Sequence, residues 1–320
     1  MLAAAYRTVG SSAVLIVEDV ARPEPGPGEV RVRLRVAGVN PTDWKMRSST
    51  APAHAFQVPG QDGAGEVDAV GEGVDAARIG QRVWVWFAAA RGRQWGTAAQ
   101  WTVVPDRQAV CLPDEVTFEF GAGLGIPALT AWHCLFADGP LSGSDVLVAA
   151  GAGAVGNVAV ALARRAGARV IATTSTPVKA ELAQAAGAHA VVDYRLPDAA
   201  AQVRAIAPGG VSRIIEVALG ANLALDLAVA GPRAVVATYA DDDLHTSTRP
   251  LMVGNVTLAF VLVYGLADAA LDAAVAGVSA AVAAGELPGL PVTRFPLAEI
   301  AAAHDAVQAG TLGKVLVDLP

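Results

Sequence analysis

The chain has 320 residues, 53% hydrophobic and 17% charged, a balance that supplies a large core and excludes a disordered chain. With 23 basic against 30 acidic residues, a net charge of −7 and no long basic run, nucleic acid and anionic membrane are poor partners. Cys111 and Cys134 lie far apart with no paired spacing, so they read as small buried residues of a reducing compartment, without a disulfide or a structural zinc lobe.

The N-terminal residues lack a basic start before an apolar core, so no signal peptide is read and a cytoplasmic protein is expected. Residues 146–163 and 251–267 carry no charge, yet glycines interrupt both and Asn255 and Thr257 interrupt the second. They read as buried elements of an α/β core rather than membrane spans. In chain order, residues 13–20 are an apolar strand candidate, and the three prolines that follow Arg22 force a turn. Residues 29–36, EVRVRLRV, alternate with period two: Val30, Val32, Leu34 and Val36 share one face, and the arginines read as the solvated face. Asn40-Pro41 breaks the strand, and a short helix starts near Thr42. A glycine-rich turn at 59–67 feeds a strand over 65–70, a hairpin-like turn follows, and 81–87 and 98–104 are further strands. The polar loop 88–97 is expected near a substrate mouth. Short strands with glycine turns indicate a partly closed β domain.

Beyond Pro113 the texture changes. A helix is read at 126–135, and strands at 146–150, 169–173, 190–193, 213–217 and 234–239 then alternate with helices at 154–166, 177–186, 199–207 and 221–230. This spacing implies a doubly wound parallel sheet with helices on both faces. Residues 251–263 add a last strand region and 266–284 a long helix; strands at 290–295 and 314–319 flank a helix at 297–309. The expected architecture is an α/β chain of two domains: a β-rich domain from 1–122 and 262–320, and a dinucleotide-binding domain over 123–261. The active site is expected where the sheet's strand ends meet the β domain.

The most informative stretch is VLVAAGAGAVGNVAVALA, residues 146–163. Strand, glycine corner and helix follow in that order, and the glycines fit GxGxxG. Gly151 would let the chain turn and Gly153 would let the backbone approach a pyrophosphate. Gly156 would let the helix pack on the strand, and the helix start offers free N–H groups to phosphate oxygens. The next strand chooses the nucleotide. An NAD site would carry an acid at its end, but this one ends in Thr174 and Ser175, with Lys179 four residues further. Hydroxyls and an ammonium suit a 2′-phosphate that a carboxylate would repel, so NADPH is expected.

Taken in order, GVNPTDWKMR, PGQDGAGEV, ALTAWH, AAGAGAVG, GAHAVVDYR and GKVLVDL resemble the medium-chain dehydrogenase/reductase superfamily over essentially the whole chain, specifically its zinc-independent quinone oxidoreductase branch. Zinc members of that superfamily carry a cysteine near the GVN position and a His-Glu pair in the following turn. Here Asn40, Gln61 and Asp62 stand there, so no zinc ligand set is expected. The resemblance implies a GroES-like β domain beside a Rossmann domain. It places Asn40 and Thr130 beside the nicotinamide, His133 at a cofactor-stacking position, Gly153, Ala154 and Val155 at the pyrophosphate turn, and Ser175, Lys179 and Tyr194 around the 2′-phosphate. Tyr239 would follow the strand beneath the cofactor, Phe260 and Val261 would lie on a strand that lines the pocket and pairs across a homodimer, and Lys314 would be a basic residue near the cofactor. Asp62 itself reads as a turn residue capping backbone N–H groups. Glu216-Val-Ala-Leu-Gly departs from the common Asp-x-x-Gly, and Lys45 replaces a common tyrosine.

The activity so implied is metal-free hydride transfer from NADPH to a quinone or an α,β-unsaturated carbonyl, with Asn40, Lys45 and Thr130 as candidate catalytic residues and the proton coming from solvent or from a nearby donor, for which Lys45 is the leading candidate. An enoyl thioester reductase, or an NADPH-binding protein with little turnover, are the alternatives. No GxSxG elbow points to a hydrolase.

Overall fold

A computed structural model describes residues 1–320 and divides them into two compact units, Met1–Ile126 with Pro291–Pro320, and Pro127–Leu290. The first unit opens with strand β1 (Leu2–Ala5), paired antiparallel to β2 (Ile16–Asp19). Alternation then drives the long β3 (Glu29–Val39), which ends at Asn40 where Pro41 starts helix α1 (Pro41–Ser49). Strands β4 (Asp62–Val70), β5 (Arg82–Val85), β6 (Trp101–Pro105) and β7 (Ala109–Cys111) and the short helix α2 (Phe118–Ala122) lead into helix α3 (Gly125–Phe136).

The second unit alternates β8 (Asp145–Val148), α4 (Ala154–Arg165), β9 (Arg169–Thr174), α5 (Pro177–Ala185), β10 (Ala190–Asp193), α6 (Ala199–Ile206), β11 (Val211–Glu216), α7 (Leu219–Val229) and β12 (Ala230–Thr238). Helix α8 (Arg249–Gly254), strand β13 (Thr257–Phe260) and helix α9 (Asp268–Ala283) complete it. Its six strands run parallel in the order β10-β9-β8-β11-β12-β13, the doubly wound arrangement expected from the alternation. Leu147, Ile171, Ile214 and Val236 form its fully buried spine.

The chain then returns to the first unit with β14 (Val292–Pro296), α10 (Ile300–Gln308) and β15 (Lys314–Asp318). The first unit's main sheet runs β14-β15-β3-β4-β5-β7, with β6 also on β3, and β15 pairs antiparallel with β3 from Val315 opposite Val39 to Asp318 opposite Val36. Val30, Val32 and Leu34 pack inward against Val67, Val83 and Val104, so the expected apolar face is the core face.

Three expectations change, and one strand lies where the sequence indicates β structure only for residues 1–36 as a whole. Strand β1, LAAA, has no β-branched residue to announce it. The arginines of β3 are not all solvated: Arg31 is buried, with Nε on Asp68 Oδ1 at 2.8 Å and Nη1 on Glu24 Oε2 at 2.7 Å. The strand expected over 251–263 is instead a helix and a shorter strand, because Pro250 presets the first turn of α8 and Asn255, at φ 49°, ends it in the left-handed region. The boundary expected at 262 moves to 290, because α9 packs within the second unit. There Gly277 lies so close to the Trp132 ring that an added Cβ would stand 1.9 Å from it.

Gly277→Ala should therefore lower Tm by about 3 °C or more, although alanine is the better helix former by about 1 kcal/mol, because overpacking against an indole costs about 1–3 kcal/mol. A thermal melt that rises instead would show that Trp132 yields freely.

Candidate active site

In the first unit, four polar side chains from three strands and one helix meet in the interior. Asn40 ends β3, Asp43 lies in the first turn of α1, Asp62 begins β4 and Lys314 begins β15, and each is at most 6% exposed. Lys314 Nζ donates to Asn40 Oδ1 at 2.6 Å, and Asn40 Nδ2 donates to Asp62 Oδ2 at 2.7 Å. Both Asp62 oxygens also accept the Ile126 N–H at 3.0 Å, so Asp62 caps the start of α3 rather than its own turn. The Asn40 N–H donates to Asp43 Oδ2 at 2.7 Å. Two carboxyl groups thus share one buried ammonium. Burial pushes Asp43 up to about 7, with the Asn40 N–H and Lys314 opposing and Asp62 adding to the rise. Burial pushes Asp62 up to about 6, against Lys314 and its hydrogen bonds. Burial lowers Lys314, and both aspartates oppose that.

Beside this network the first unit holds a cavity of about 110 Å³ lined by Tyr6, Asp43, Met46, Gln61, Ala89 and Gly92 among others. The last two lie in the loop expected at a substrate mouth. Asp43 Oδ1 and Gln61 Oε1 are buried without a hydrogen-bond partner, while Gln61 Nε2 only approaches Met46 Sδ at 3.9 Å. Lys45 is exposed, stands 6.0 Å from the Trp44 ring and is not on the cavity wall. Trp95 packs edge-on to Phe56 at 5.5 Å. The sequence alone does not single out Asp43. Its place three residues after Asn40 marks it as a helix-start acid, but nothing local announces its burial.

In the second unit the glycine corner has the form the motif requires, with one change of detail. Ala150, at φ 51°, makes the left-handed turn assigned to Gly151. Gly151 instead keeps clear of Ala172, 2.7 Å from where its Cβ would be. Gly156 is required for close approach, since a Cβ there would lie 2.3 Å from the Ala150 carbonyl oxygen. Gly153 caps α4 with no side-chain acceptor, and Gly153, Ala154 and Val155 are accessible. A corner that admits no side chain at Gly151 or Gly156 and leaves residues 153–155 accessible at a helix start fits a pyrophosphate. At the end of β9, Thr174 is buried and Ser175 half-buried, and Lys179 Nζ lies 3.4 Å from Ser175 Oγ. Tyr194 is exposed just beyond β10, whose last residue Asp193 sits opposite Thr174. That acid is bound to Arg195 through both oxygens at 2.7 and 2.9 Å, so its charge is met locally.

Thr130 and His133 lie on α3; Thr130 is buried, and burial lowers the half-buried His133 against the pull of Asp138. Glu216 turns its carboxylate onto its own loop, accepting from Val217 N, Ala218 N and Asn222 Nδ2 at 2.7, 2.5 and 2.9 Å. Asp226 beside it is pushed up to about 8 by burial and by the Glu216 charge. Tyr239 follows β12, and its phenol is raised by burial. Phe260 ends the edge strand β13 with 70% of its surface exposed, and the Val261 N–H bonds the Thr238 carbonyl at 2.8 Å. No group of three His, Cys, Asp or Glu is arranged to hold a metal ion, and an ammonium 2.6 Å from the Asn40 amide does not fit a zinc site there.

Comparison with known proteins decides the family. Residues 26–114 match the alcohol dehydrogenase GroES-like domain and residues 154–279 the zinc-binding dehydrogenase domain. Human quinone oxidoreductase is 26% identical over 316 residues, 96% of this chain and 94% of that protein. A mycobacterial protein solved in complex with NADPH superposes with a TM-score of 0.85 at 30% identity, covering 99% of this chain and 100% of that one. The chain belongs to the medium-chain dehydrogenase/reductase family, in its quinone oxidoreductase branch. An NAD-dependent alcohol dehydrogenase superposes with a TM-score of 0.90 at 26% identity, covering 100% of both chains. This family member is thus an oxidoreductase of the Rossmann type acting on a small molecule, and none of its helices is long and apolar enough to cross a membrane.

The raised carboxyl groups have a measurable effect on stability. An acid whose pKa rises on folding holds its proton better folded than unfolded, so its stabilisation is present at low pH and is lost between about 4 and about 7. Asp43→Asn removes that dependence and keeps an oxygen for the Asn40 N–H. From pH 4 to 8 the wild type should lose at least about 3 °C of Tm relative to the variant. A constant difference in paired thermal melts would count against a buried, protonated Asp43.

Proposed function

We propose that this protein is a cytoplasmic, NADPH-dependent oxidoreductase that reduces a quinone or an α,β-unsaturated carbonyl without a metal. The observation that carries the reading is the open N–H cradle before α4 followed by Thr174, Ser175 and Lys179 where an NAD site would place an acid. When bound, the reduced nicotinamide supplies a hydride. Ala154 and Val155 would hold the pyrophosphate through their N–H groups, and Ser175, Lys179 and Tyr194 would grip the 2′-phosphate. Thr130, His133, Tyr239, Phe260 and Val261 are proposed to orient the nicotinamide half. Asn40 and Lys314 hold each other inside the first unit, so their part is to shape the site rather than to carry charge to the cofactor. Cys134 is buried as expected, whereas Cys111, at the end of the short β7, is exposed against the expectation that both cysteines are buried.

Nicotinamide fluorescence should report tighter binding of NADPH than of NADH, and Lys179→Ala should weaken NADPH about 10-fold while leaving NADH unchanged. Tighter NADH binding by the wild type would overturn the cofactor assignment. NADPH oxidation should appear in a panel of quinones, enals and enones; a panel with no turnover would overturn the reductase reading.

The edge of the second unit's sheet supports a homodimer. Strand β13 pairs only with β12, and Phe260, Leu262, Met252 and Val253 around it are each about 70% exposed or more. Phe260→Lys should shift sedimentation from dimer to monomer. A wild-type protein that sediments as a monomer at all concentrations would refute the dimer.

A further inference from the structure

The cavity of the first unit carries a group the reaction needs. Reduction of a conjugated carbonyl by hydride leaves an electron pair on oxygen, and a proton must meet it. Lys45 does not reach the cavity wall, and Lys314 is committed to Asn40. Asp43 does line the cavity, and its two oxygens are unlike. Oδ2 accepts the Asn40 N–H at 2.7 Å, whereas Oδ1 is buried with no partner at all. Gln61, on the same wall, also holds an unpartnered Oε1, so both side chains keep a hydrogen-bonding position that no protein group fills.

We propose that Asp43 Oδ1 carries the proton that completes reduction, donating it to the carbonyl oxygen of a substrate seated against Gln61 in this cavity. This rests on the reductase reading given above.

Charge bookkeeping places the proton on Asp43 rather than on Asp62. The groups facing Asp43 are Asp62 from β4, Lys314 from β15 and Tyr6 after β1, whereas Arg47 on the same helix faces Tyr6 as well as Asp305 and His304 of α10. Within the network one ammonium faces two carboxyl groups. Asp62 uses both oxygens as acceptors from N–H donors, which favours its ionised form. Asp43 has one N–H and a bare oxygen, so the remaining proton resides on Oδ1, and the same burial holds its pKa near 7. In the reaction, the substrate accepts a hydride at the β-carbon or quinone ring and its π electrons move to oxygen. The Asp43 O–H bond breaks as the substrate O–H bond forms, leaving a carboxylate and giving an enol, or from a quinone the keto tautomer of the hydroquinone. Each then tautomerises in solvent, losing one proton and gaining one, to the saturated carbonyl or the hydroquinone. Solvent returns one proton, so each turnover consumes one reduced nicotinamide and one proton.

Two measurements test this. In protein labelled with 13C at the aspartate side-chain carboxyl and free of cofactor, one resonance should titrate near pH 7 and be absent from Asp43→Asn. In turnover with an enone, the wild-type kcat/KM should be level at low pH and fall tenfold per pH unit above about 7. Asp43→Asn should run about 100-fold slower with no such limb, and Asp43→Glu should restore the limb. Circular dichroism checks that both variants fold. An Asp43→Asn enzyme with the wild-type rate and limb, or a labelled spectrum in which no carboxyl near pH 7 is lost, would overturn the assignment. Should no acceptor be reduced by the wild type, the reductase reading fails, while the carboxyl titration still decides whether Asp43 holds the proton.

Discussion

The first unit depends on one buried ammonium. Lys314 sits among Asn40, Asp43 and Asp62, and each member would be costly without the others. Removing the lysine would leave two carboxyl groups in a low-dielectric interior, and removing Asp62 would leave the α3 start uncapped and an amide unmatched. The network also fixes geometry: it ties the end of β3, the start of α1, the start of β4 and the start of β15 to one point. The cavity wall carrying Asp43 and Gln61 is built on that point, so the position of a functional acid follows from a structural requirement.

In zinc-dependent dehydrogenases a metal would stabilise negative charge on a substrate oxygen. Here the same region of the β domain holds an amide, two carboxyl groups and an amine. The protonated Asp43 proposed above would do comparable work by hydrogen bonding, and only while it keeps its proton. That substitution of a proton for a metal favours acceptors that are already electron-poor, which agrees with the family branch to which the chain belongs.

Much of the second unit is legible in the sequence because its signals are local. Glycine spacing, strand-helix alternation and the missing acid after β9 each lie within about thirty residues, and the parallel sheet follows from them. Where reading stops short, the causes are tertiary. Arg31 looks solvated because alternation marks faces but not partners, and its burial depends on Glu24 and Asp68. Strand β1, a leucine followed by three alanines, has no propensity signal, and helix α8 is hidden inside an apolar run whose ends are set by Pro250 and Asn255. Asp43 and Lys314 are visible as a cap and a terminal lysine, but no local pattern pairs residues so far apart.

That separation has a kinetic consequence. Lys314 reaches Asn40 across 274 positions, and β15 must insert beside β3 to finish the sheet. The second unit, continuous in sequence, has every strand it needs before residue 291 emerges. During synthesis it should fold as a completed unit before β15 can close the sheet edge of the first. Chains truncated before residue 314 should therefore fail by exposing that edge, and folding from the unfolded state should end in a slow step that closes the longest loop in the molecule.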